Sequence, residues 1–128
     1  MQNRNNTNKA ISGFLIDPES QTVTQVDVCR DEYGSVLKSM YDLLGCSCVD
    51  FGRNCLSFLP SESEDDLWFD DEGLYPNYGF GFQLPGSFLL AGRGLILGYN
   101  DEGDCISSTL TQTDVDFLKK SIIYHRGK

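Results

Sequence analysis

The chain has 128 residues, about one domain by length, and a formal charge of −9 from 19 acidic and 10 basic side chains. Hydrophobic residues make up 40% of it, which excludes global disorder and suffices for a core without metal or disulfide staples. A field of this sign repels nucleic acid and anionic membrane, and attracts a basic protein surface or a cation.

No apolar run reaches the roughly 18 residues a membrane helix needs. The N-terminus has no apolar signal stretch, so a cytoplasmic location is expected. The five cysteines, an odd number, are then expected to be free thiols. Gln2 to Asn8 is entirely polar. Residues 1–10 are therefore expected to form a flexible tail ahead of a single domain spanning 11–128.

Ile11 to Ile16 is an apolar run stopped by Asp17-Pro18, and Thr22 to Val28 alternates with period two. Together they predict a hairpin turning at Asp17 to Gln21. Tyr33, Val36, Leu37, Met40, Leu43 and Leu44 then fall on one stripe of a helix, with Asp31 as its N-cap and Gly45 closing it. Ser47 to Phe51 and Asn54 to Leu59 read as strands around Gly52-Arg53. Leu67-Trp68-Phe69 reads as a short strand, and Asp70 to Gly73 as a turn. Pro76 to Gly86 is expected to be loop with at most a short strand. Gly94 to Tyr99 reads as a buried strand, with a turn at Asn100 to Gly103 and a return through Ser108. Thr111 and Asp114 resemble a capping box. It opens a second helix with Val115, Leu118 and Ile122 on its apolar face and Lys119, Lys120 and Arg126 near its end. The order predicts an α+β fold: an antiparallel-rich sheet with two helices, about 33–44 and 112–125, packed on one face.

Few residues point to chemistry. Cys46-x-Cys48 with Cys55 lacks the second ligand pair of a zinc site, so no metal is expected. His125 is the only histidine and stands three residues from the end, where an oriented base is not expected, so no catalytic residue is assigned. Asp70-Asp71-Glu72 and Asp101-Glu102-x-Asp104 read as turn chemistry, since neither has the spacing of a calcium loop. Gly92-Arg93-Gly94 precedes a strand instead of opening a helix, which excludes a phosphate loop or dinucleotide fingerprint. Gly92 and Gly94 would still bare the backbone around a guanidinium that can hold phosphate or carboxylate. Arg53 lies in a similar turn. Arg53 and Arg93 with Trp68 and Tyr99 are the expected ligand pocket, the arginines taking charge and the rings stacking on a base.

Leu67-Trp-Phe-Asp-Asp-Glu-Gly-Leu74 and Leu90-Ala-Gly-Arg-Gly-Leu-Ile-Leu-Gly98, followed by Gly103-Asp104, resemble a family of short uncharacterised proteins of phages and mobile elements. The resemblance covers about Ile11 to Ser108. It implies a viral or mobile-element origin and an accessory role against host defences. It brings no catalytic residues. The resulting expectation is a non-enzymatic protein, without cofactor, that sequesters a small anionic, nucleotide-like ligand in the host cytoplasm. Oligomerisation would help to enclose that ligand. The alternative is an acidic inhibitor whose Glu62 to Glu72 stretch binds a basic host protein by resembling the charge of DNA. A hydrolase ranks third, for want of a nucleophile–base pair.

Overall fold

The computed structural model describes residues 10–72 and 79–126. The expected tail, apart from Ala10, and Gly73 of the predicted turn lie outside the described residues. Ala10 itself begins the first strand.

The strands β1 (Ala10–Asp17) and β2 (Thr22–Cys29) pair antiparallel along their whole length. This is the predicted hairpin. The helix α1 (Leu37–Leu44) follows, and then β3 (Val49–Gly52) and β4 (Asp66–Asp70). Next come β5 (Phe80–Gln83), β6 (Leu90–Ala91), β7 (Gly94–Tyr99) and β8 (Cys105–Ile106). The helix α2 (Gln112–Ser121) and the strand β9 (Ile123–Arg126) complete the order.

Two antiparallel sheets result. The larger runs β2-β1-β7-β4-β3, with β8 added to the far end of β7. The smaller runs β6-β5-β9. The fold is α+β and strand-rich, as the sequence predicts.

The strand β7 explains how the layers stack. Gly94 to Gly98 are all buried, but alternate side chains point to opposite faces. Leu95 and Leu97 pack with Ile11, Val28, Val36, Met40 and Leu44, under α1. Ile96 packs instead with Ile16, Val23, Leu67, Phe82, Val115 and Leu118, under α2 and the smaller sheet. The helices thus cover opposite faces of the large sheet, not one face.

The element boundaries differ from expectation for local reasons. Asp31 does not cap α1. Its carboxylate accepts from the Tyr33 and Ser35 amides in a turn, and Gly34 there adopts a φ of 82°. The helix therefore starts at Leu37, and Tyr33 stands 85% exposed. Gly45 ends it as predicted, with a φ of 69° and its N–H donating to the Tyr41 carbonyl. Asn54 to Leu59 is a series of turns instead of a strand, since Asn54 sits at a φ of 67°. Leu56 and Leu59 are nevertheless buried.

The capping box at Thr111 and Asp114 is complete, but α2 stops at Ser121. Ile122 is extended, with a ψ of 133°, and the chain continues as β9 against β5. The β-branched Ile122-Ile123 and then Tyr124 favour strand over helix. Among the described residues no helix is long and apolar enough to cross a membrane.

Candidate functional site

The residues expected to share one pocket fall at the two ends of β7. Arg53 lies against the Tyr99 end. Its guanidinium sits 3.9 Å from the centroid of the Tyr99 ring and 5.3 Å from that of Phe51. Phe51 in turn stacks on Trp68, with centroids 4.7 Å apart. Arg53 and Tyr99 are thus in contact, and Trp68 is linked to them through Phe51. The sequence misses the partner that occupies the arginine. Asp66 accepts from Arg53 Nε at 2.8 Å and from Nη2 at 3.0 Å. The Asp66 side chain is 4% exposed against 45% for Arg53. A buried carboxylate held by two donors is the counter-charge this guanidinium is built for. The Trp68 indole N–H is buried and finds no acceptor among the described residues.

Arg93 immediately precedes Gly94, at the other end of the strand. At about 3.3 Å per residue, roughly 20 Å of chain separates it from Tyr99. Arg53 and Arg93 therefore do not converge, and the four-residue pocket does not form. Arg93 donates from Nη1 to the Leu43 carbonyl at 3.0 Å, capping one of the open carbonyls at the end of α1. Its nearest carboxylate is Asp17, with Nε to Oδ2 at 3.8 Å. A guanidinium has five N–H donors, and among the described residues one is hydrogen-bonded and another faces Asp17 at 3.8 Å. It lines a cleft of about 300 Å³ together with Asp17, Leu44, Gly45, Phe80 and Gly92. That volume is at the small end of the roughly 300–1,000 Å³ range of ligand sites.

The two glycines beside Arg93 have different uses. Gly92 has a φ of 82° and donates its N–H to the Phe80 carbonyl at 2.7 Å, which shapes the cleft wall. Gly94 faces the core instead. A Cβ there would lie 2.6 Å from Phe82 Cζ, so this position is closed to ligand and needed for packing.

The acidic stretch is not a uniform charged surface. Asp65, Asp66 and Asp70 are buried, while Glu62, Glu64, Asp71 and Glu72 are exposed. Asp65 accepts from Ser108 Oγ, Thr109 N and Thr109 Oγ1 at 2.7–2.9 Å. Asp114 answers across the same junction by accepting from the Ser61 amide and hydroxyl. Burial raises the Asp114 carboxyl, but bonds from Ser61 and Thr111 outweigh it and hold it below the ordinary carboxylate value. These acids fasten the loop after β3 to the start of α2. In the acidic turn, Asp70 accepts from the Glu72 amide, as turn chemistry predicts.

Nothing resembling a nucleophile–base pair is assembled among the described residues. His125 is exposed on β9 and makes no hydrogen bond to a hydroxyl or thiol there. The cysteines are free. Burial pushes the Cys46, Cys55 and Cys105 thiols up, away from the reactive thiolate. No group of three or more potential metal ligands gathers among the described residues.

Sequence reasoning misses Phe80 as part of the cleft. Its only signal is the Phe-Gly-Phe alternation of a short strand. Compared with known proteins, the chain matches no family model, no curated protein and no solved structure.

Proposed function

We propose that this protein binds and sequesters a small anionic, nucleotide-like ligand through Arg93, without turnover. The observation that carries the reading is the state of that guanidinium. Among the described residues it has one carbonyl partner and a carboxylate at 3.8 Å, and it stands at the edge of a cleft. A phosphate oxygen there would accept charge-assisted hydrogen bonds. Phe80 offers a ring against which a base can rest, and Gly92 leaves the backbone accessible. Arg53, Trp68 and Tyr99 are not needed by this ligand, because Asp66 already satisfies the arginine.

The resemblance to a phage and mobile-element family supports an accessory protein acting against a host defence in the host cytoplasm. A cleft this open would enclose a nucleotide better if a second copy closed it, so a homo-oligomer accords with the reading. The competing idea of a DNA-like inhibitor is weakened by the burial of Asp65, Asp66 and Asp70. It keeps only Glu62, Glu64, Asp71 and Glu72 as a docking patch for a basic host protein. A hydrolase has no assembled residues to carry it.

The test is thermal shift against a panel of nucleotides. At a ligand concentration one hundred times Kd, stabilisation of about 2.7 kcal/mol is expected. Arg93→Ala should remove that shift while Arg53→Ala keeps it. No shift with any nucleotide would overturn the proposal. Capture of a basic host protein that fades steeply with salt would favour the inhibitor.

A further inference from the structure

The geometry points to a ligand with two separated anionic groups, one at Arg93 and the other at Arg126, joined by a neutral hydrogen-bonding portion. This inference rests on the Arg93 reading and extends it.

A second cleft, of about 400 Å³, adjoins the first. Pro18, Glu19 and Phe80 line both, so the two clefts share a wall at the β1–β2 turn. The far wall of the second cleft is Tyr124, His125 and Arg126. Strand pairing fixes it there: Phe80 lies opposite Arg126, and Gly81 opposite His125. The Arg126 guanidinium sits 5.4 Å from the centroid of the Phe80 ring. Among the described residues no carboxylate pairs with it. Arg126 thus lies over this ring and Arg93 lines a cleft with it, in a chain of net charge −9.

Glu19 decides the chemistry between them. Its side chain is exposed and lines both clefts. A carboxylate on the shared wall repels negative charge there and accepts hydrogen bonds from hydroxyl or amino groups. A diphosphate, whose charges are adjacent, would bring its second phosphate towards Glu19. Two phosphates separated by a nucleoside would put charge at the arginines and sugar hydroxyls or base amino groups at Glu19.

Calorimetric titration of the full chain with AMP, ADP and the 5′-phosphorylated dinucleotide pApA tests this. We expect pApA to bind about tenfold or more tightly than AMP, as one further charge-assisted contact allows. Arg126→Ala should remove that advantage, so that pApA binds no more tightly than AMP, while Arg93→Ala weakens all three. Glu19→Gln should narrow the gap between ADP and pApA. Should Arg126→Ala fail to fold, Arg126→Gln serves, and the wild-type ratio of pApA to AMP needs no variant. Equal binding of AMP and pApA, with Arg93 still required, would overturn the two-anion inference alone. Failure of all three to bind the wild type would overturn the Arg93 reading together with it.

Discussion

The two ends of β7 treat an arginine in opposite ways. At the Tyr99 end, Arg53 meets a buried carboxylate in a two-pronged contact and lies flat on a ring. At the Gly94 end, Arg93 caps a helix with one donor, has Asp17 only at 3.8 Å from another, and lines a cleft. Residue type is the same, and both follow or precede a glycine. What differs is how tightly the surrounding chain holds the counter-charge: Asp66 accepts two hydrogen bonds from Arg53, while Asp17 stays 3.8 Å from Arg93. A guanidinium locked in a two-donor contact is part of the fold, while a loosely paired one is available to a ligand. The closed end should therefore cost stability when altered, and the open end should cost only binding.

The largest loss should come from Asp65→Ala, beside the closed end. It strands donors from Ser108 and Thr109 at a buried position, for a cost of about 3 kcal/mol in urea denaturation. Asp114→Asn should cost about 2 kcal/mol, through the cap of α2 and the bonds to Ser61. This second effect has a pH signature. The folded carboxyl titrates below its unfolded value of about 3.9. Its stabilisation is therefore complete above that pH and is lost as pH falls through the lower folded value. Wild type should approach Asp114→Asn in stability under acid and exceed it at neutral pH. Arg53→Ala should lower the urea midpoint less than either, since water reaches the half-exposed site, yet clearly more than Arg93→Ala. Arg93→Ala itself should stay within about 0.5 kcal/mol of wild type. Equal losses for the two arginine variants would erase the distinction between the ends.

The sequence carries local features well. The β1–β2 hairpin, the Val36–Met40–Leu44 stripe, Gly45 and the Thr111–Asp114 capping box are each written in a few neighbouring residues. Features that depend on distant partners are not. Ile122 to Arg126 reads as the end of a helix until Phe80 to Gln83 is known to lie beside it. Asn54 to Leu59 has apolar residues in a strand-like pattern, but its leucines reach the core from turns. Asp66 cannot be matched to Arg53 from sequence, because other acids stand equally near in the chain. The separation of Arg93 from Tyr99 was legible. A strand predicted at Gly94 to Tyr99 already puts them at its opposite ends. Arg126 was hidden for a different reason: as the supposed last turn of a helix, it had no place beside Phe80.

The strand with a leucine pair on one side and Ile96 on the other has one more consequence. Because β7 is hydrogen-bonded to β1 and β4 and serves both cores, neither layer can open without disturbing the other. Its amide protons should be among the slowest in the molecule to exchange with heavy water, and at the rate set by global unfolding. A tightly bound ligand at the Gly94 end would then slow exchange as far away as Tyr99, with no change of shape passing along the strand.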